Sequence, residues 1–283
     1  VRVCHAMTSR NPVLREDISD TGVPPCMATE TTTELPGTGS DATAVPTTRS
    51  RALLAGAVLS AVALVGTVPI LTGVERLQTA LGYGGELPVT YLAVGSIHAV
   101  FMGLLALVYL RFRPVRIPVR RPTLRELALV AGTTVFALVL AVLVQSLRAA
   151  LGAEPVSHFV SRAAARDPVL VYGGGLVMVL LLVGPVEELL FRGVVQGRLR
   201  ESFGPAAAIG LTSMLFGLGH YLAFVFGGTE LVSLGLGFAL LGTAVTSVVL
   251  GAVYEHTGNL ATPVLIHSLF NGTLFAIGLL GVL

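Results

Sequence analysis

"PVLVYGGGLVMVLLLVGPVEELLFRG", residues 168–193, carries a helix-length apolar run straight into two glutamates and an arginine. Pro168 through Gly184 contributes seventeen mostly apolar residues, and Glu187, Glu188 and Arg192 then place three formal charges within six positions. A hydrocarbon core needs about 20 apolar residues per helical crossing, and a charge at its centre costs at least about 2.5–3.5 kcal/mol. The stretch admits two readings. In one, a span ends at Pro185 and Glu187 opens a helix in water, its acids favouring the helix N-terminus. In the other, which we favour, the helix continues through a kink at Pro185 and residues 186–199 stay inside a bundle. Glu188 and Arg192, four apart, share a helical face and can pair. That pairing leaves Glu187 without a local cation.

The rest of the chain supports a membrane setting. Of 283 residues, 53% are apolar and 12% charged, about half the charged fraction of soluble domains, and the mean hydropathy is +0.82. The net charge of +2 gives no case for nucleic acid. Helix-length apolar runs cover 51–73, 88–110, 126–147, 168–184 (continuing to about 199), 205–226, 231–253 and 259–282. This predicts an all-α polytopic transmembrane bundle of seven spans, or eight if the fourth run divides. A transmembrane barrel would show short alternating segments instead. Residues 1–50, rich in Thr, Pro, Ser and Gly, are read as a disordered polar segment with Met7 and Met27 as alternative starts and no cleavable signal peptide. Cys4 and Cys26 both lie there and cannot brace the apolar body. Residues 51–283 form the bundle.

Arginine placement sets the orientation. All eighteen basic residues are arginine. The 111–125 connection holds Arg111, Arg113, Arg116, Arg120, Arg121 and Arg125 with no acid, the strongest cytoplasmic marker in the chain. Arg49, Arg51, Arg198 and Arg200 mark the same side. The 148–167 connection, with Arg148, Arg162 and Arg166, runs against this pattern.

Two more polar clusters interrupt the late apolar runs. "FGLGH", Phe216 to His220, places a histidine among glycines, Gly217 and Gly219, that allow another helix close. "HSLFN" places His267 and Asn271 on one face of the last span. By contrast, His98 is read as structural, and His158 falls in a loop with no constellation. "YEHTGNLATP", 254–263, is a connection turning at Gly258–Asn259. Its Glu255 and His256 are at most supporting residues. Together the clusters supply two carboxylates, an arginine, two histidines and an amide. A carboxylate in a low-dielectric site can serve as general base, and histidine and amide N–H groups can stabilise an oxyanion. Glu187, His220 and His267 could equally ligate zinc, though nothing in their spacing requires a metal. There is no HExxH, GxSxG or phosphate loop.

These motifs resemble those of the CPBP intramembrane proteases, the Abi family, which include the CAAX prenyl endopeptidases and bacteriocin-processing or immunity proteins. The family's EExxxR, FxxxH and HxxxN motifs match Glu187, Glu188 and Arg192; Phe216 and His220; and His267 and Asn271. The resemblance covers roughly 165–283, a protease-like core. It implies an endopeptidase of a prokaryotic-type membrane, acting on membrane-embedded or lipidated substrates through a site open to the cytosol. Glu187 and His220 would activate water, His267 and Asn271 would complete the oxyanion site, and Glu188 and Arg192 would hold the local structure. The family is often labelled metallopeptidase. A transporter and a catalytically silent scaffold or immunity protein are the competing functions.

Overall fold

Long apolar runs in a solvent without water must satisfy their backbone internally, and the helix is the form that does so within one segment. A computed structural model describes residues 48–82 and 87–282, and all regular structure among them is helical. The N-terminal segment assigned to 1–50, with its two cysteines, lies outside the described residues except at its end. Arg49 and Ser50 are not part of a polar tail: they form the first turn of α1 (Arg49–Ala80).

α2 (Leu87–Phe112) and α3 (Leu124–Ala150) follow, then a short α4 (Phe159–Ala164), α5 (Pro168–Arg200), α6 (Pro205–Gly219), a short α7 (Tyr221–Phe226), α8 (Leu234–Thr257) and α9 (Ala261–Leu280). Among the described residues seven segments are long and apolar enough to cross a membrane, with α6 and α7 together making one of them. Large apolar side chains such as Leu54, Leu107, Val142 and Leu181 point outward, as lipid-facing residues do. The protein is an integral membrane protein.

Local chemistry sets the helix ends. Thr123 and Glu126 form a reciprocal capping box at the start of α3. Asp167 caps α5 ahead of Pro168, and Ser233 caps α8. Gly258 ends α8 at φ +56°, the left-handed conformation expected of the turn read there.

The spans alternate in direction, so the 113–123 connection, the turn after Arg200 and the turn at Gly258 meet at one end. Arg198 donates to the Tyr109 hydroxyl at 2.8 Å, Arg200 pairs with Glu255 at 2.7 Å, and the Leu260 N–H donates to the Pro118 carbonyl at 2.9 Å. The extended 113–123 connection lies against α5, with Ile117 over Gly193 and Val115 over Gly197. α5 packs against α1, α2, α4, α6, α8 and α9, whereas α3 touches only α8 and α9. The charged stretch of α5 is therefore ringed by helices.

Of the two glycines in "FGLGH", one makes a helix contact possible. A Cβ at Gly217 would lie 2.8 Å from the Leu240 carbonyl oxygen and 2.9 Å from the Ala244 Cβ on α8. At Gly219 the nearest atom would be Phe191 Cζ at 3.7 Å, an ordinary contact. Gly217→Val is expected to lower stability by about 1–3 kcal/mol through overpacking, read as a lower unfolding temperature in detergent. Gly219→Ala should leave that temperature nearly unchanged.

Candidate active site

The fourth span does not end at Pro185. α5 runs through it, with wider π-helical turns on both sides, Val179–Val183 and Leu189–Gln196. Proline removes one backbone donor and crowds the preceding turn; widened turns accommodate both, and such turns recur at functional sites. Glu187 thus stays within the bundle. It lies thirteen residues before the end of α5 at Arg200, while His220 lies fifteen residues after the start of α6 at Pro205. At about 1.5 Å per residue, the hairpin brings both to a similar depth of roughly 20 Å.

Glu188 and Arg192 form the predicted pair. The distance from Arg192 Nη1 to Glu188 Oε1 is 2.9 Å, and both side chains are 0% exposed. Arg192 Nη2 also donates to the Ser247 hydroxyl at 2.9 Å, and its guanidinium lies 4.7 Å from the centre of the Phe216 ring. The Glu188 Oε1 atom accepts a second bond, from His267 Nδ1 at 2.7 Å. The other ring nitrogen, Nε2, faces Glu187 Oε2 at 3.8 Å. Glu187 therefore has a cationic candidate after all, supplied by α9. Its Oε2 atom makes no hydrogen bond within the protein.

His220 sits where the span breaks between α6 and α7, a break absent from the sequence expectation. Its backbone N–H reaches back three residues, to Gly217, and its ring Nδ1 lies 3.0 Å from the Phe216 carbonyl. A carbonyl only accepts, so Nδ1 carries the proton and Nε2 of the neutral ring is left as an acceptor. Phe216 is the hub of the cluster, its ring centre 4.8 Å from His220, 4.9 Å from Phe191 and 5.9 Å from His267.

Glu187, His220, His267 and Asn271 line one cavity of about 520 Å³, while Glu188 and Arg192 sit behind its wall. Asn271 is one turn beyond His267 and half-buried, on the wall but in no hydrogen bond to the other five.

Three participants were not singled out from the sequence. Gln196 continues the Glu188–Arg192 stripe by another four residues and donates to the Gly251 carbonyl at 3.2 Å, a spacing legible in retrospect. Ser247 carried no signal. His158, read as an isolated loop residue, lines the same cavity, caps α4 by accepting the Val160 N–H, and packs its ring edge-on to Phe224 at 5.1 Å. His98 lines the cavity too, and its Nε2 sits 2.8 Å from the Ala63 carbonyl, as a structural histidine would.

His158 gives a pH test. Removal from water, and secondarily the nearby His220, holds its pKa down to about 4. An unfolded histidine takes up a proton near pH 6.5. Below that value the unfolded state binds more protons, so the stability tied to neutral His158 is lost as pH falls from about 6.5 toward 4. The unfolding temperature in detergent is expected to fall across this window, and to fall less in His158→Asn.

The zinc alternative does not fit the geometry. Among the described residues no three His, Cys, Asp or Glu side chains gather as a ligand group. No step below runs through a metal.

The molecule is thus a polytopic membrane protein with an ionic Glu–His–Arg cluster inside its bundle. Residues 171–273 match the family model described as type II CAAX prenyl endopeptidase Rce1-like, and the chain carries a CAAX-protease domain of this family over those residues. No curated protein and no solved structure matches the chain.

Proposed function

We propose that the protein is an intramembrane endopeptidase that cleaves membrane-embedded or lipidated peptides with water activated by Glu187 and His220. The observation that carries this reading is the placement of Glu187, His220 and His267 on the wall of one largely apolar cavity, against a fully buried Glu188–Arg192 pair. A cavity of this size accepts a short stretch of peptide.

The chemistry follows from charge and reach. Glu187 and Glu188 stand against the single cation of Arg192, and the His267 ring lies between the two carboxylates, its Nδ1 on Glu188 and its Nε2 facing Glu187. Glu187 takes a proton from water as the water oxygen bonds to the scissile carbonyl carbon. His267 and Asn271 donate to the oxyanion of the tetrahedral intermediate. Collapse breaks the C–N bond, and the proton passes from Glu187 to the departing nitrogen. His220, with Nε2 as acceptor, holds the water. Glu188 orients His267 and is a positioning residue, with Arg192 neutralising it. The arginine-rich end faces the cytoplasm by the positive-inside rule.

The test is cleavage of a mixed library of lipidated and hydrophobic peptides by the purified protein in lipid discs, with and without a chelator, read by mass spectrometry. Defined cleavage that survives the chelator is expected. A well-folded protein that cuts nothing across the library would sink the reading in favour of a silent scaffold or transporter.

A further inference from the structure

The resemblance implies a site open to the cytosol, but the cavity extends toward the other end of the bundle. Taking the proposed peptidase reading as given, we propose that this site receives its substrates from the side of the membrane opposite the arginine-rich end, the extracytoplasmic side. The substrate class is then a hydrophobic peptide segment presented at that face.

Three observations carry this. First, charge separates the two ends among the described residues. Ten arginines and three acids lie at the end formed by the 113–123, 201–204 and 258–260 connections, against four arginines and four acids at the other. Two of the three arginines that ran against the topology have local duties there. Arg148 donates to the Ala153 carbonyl at 2.5 Å and Arg162 to the Phe226 carbonyl at 2.7 Å, fastening backbone at that end.

Second, the arginine-rich side of the cluster is packed shut. Leu190, Val194, Val195 and Leu199 of α5 are 0% exposed. The 113–123 connection lies across Gly193 and Gly197 and is bonded to the turn after α8, with Leu260 N–H to Pro118 and Arg120 N–H to Asn259. None of the cavity's lining residues comes from these connections.

Third, the cavity extends the other way. Glu187 and His267 lie toward its deep end, and its lining continues to Gln145 near the end of α3, to His158, Phe159 and Val160 in the connection before α5, and to Phe226. That far rim is built as a unit. Arg162 holds Phe226, Thr229 donates to the Ser157 carbonyl at 2.9 Å, and His158 packs on Phe224. No residue of α7 is fully buried, in contrast to Leu190, Val194, Val195 and Leu199 toward the arginine-rich end.

The side of access is measured by thiol labelling in the full-length protein with Cys4 and Cys26 replaced by serine. Val160→Cys and Glu230→Cys report the far rim, and Arg116→Cys reports the arginine-rich end. Each is treated with a membrane-impermeant maleimide in right-side-out and in inverted vesicles. The expected result is that the two rim thiols react only in right-side-out vesicles and the Arg116→Cys thiol only in inverted ones. A hydrophobic peptide that the detergent-solubilised protein cleaves should slow labelling at Val160→Cys and be cut when added outside right-side-out vesicles. Rim labelling confined to inverted vesicles overturns the proposal, as does cleavage confined to them. Failure to cleave any peptide in detergent would instead remove the peptidase reading, while the labelling still reports which face the cavity meets.

Discussion

Glu187→Gln is expected to remove most of the proposed peptide cleavage while leaving the bundle folded. The substitution keeps the shape of the side chain and removes its capacity to take a proton. Glu187 Oε2 has no hydrogen-bond partner in the protein, and the nearest cationic candidate, His267 Nε2, stands 3.8 Å away, so little structure depends on the charge. Loss of a general base lowers the rate by about 10²–10⁴. The check is kcat for a cleaved library peptide in lipid discs, alongside an unfolding temperature matching the parent's. Retained activity in the variant would assign the water to another residue, with His220 the first to test.

The second large effect is on stability. Arg192→Met leaves Glu188 buried without its guanidinium, and removing one partner of a buried pair costs on the order of 3–5 kcal/mol. The loss of the bond to Ser247 and of the contact with the Phe216 ring adds to it. The variant is expected to unfold at a much lower temperature in detergent, or to be recovered in low yield. Glu188→Gln combined with Arg192→Met removes both charges and should regain much of that stability. Activity should not return with it, because the Glu188 carboxylate also accepts the His267 Nδ1–H. If the double variant is no more stable than Arg192→Met alone, the pair is not what holds α5 in place. The two residues touch, so their effects are coupled and must be read as a cycle.

Much of the fold was legible because a bilayer makes hydrophobic length the dominant signal. All seven apolar runs became spans, and the capping chemistry of α3 is written locally in "TLRE" at 123–126. The Glu188–Arg192 pair was legible from spacing alone, since an i,i+4 pair needs no knowledge of other helices. Two features were not. The π turn after Pro185, Leu189–Gln196, lies beyond the reach of the proline, and no local pattern encodes it. His158 reaches the cavity through tertiary packing of a connection, and nothing in "EPVSHFV" distinguishes it from an ordinary loop histidine. The partner of Glu187 was invisible for the same reason, as His267 lies eighty residues away on another helix.

The ring of Phe216 has a consequence for how such sequences change over generations. It touches Arg192, His220 and His267, one polar residue from each of the three motifs. The motifs are therefore not independent signatures but one packed object written in three places. A lineage that lost the aromatic ring would loosen all three polar side chains at once, and selection on each would relax together. Descendants would be expected either to keep the whole set or to shed it, with few stable intermediates between.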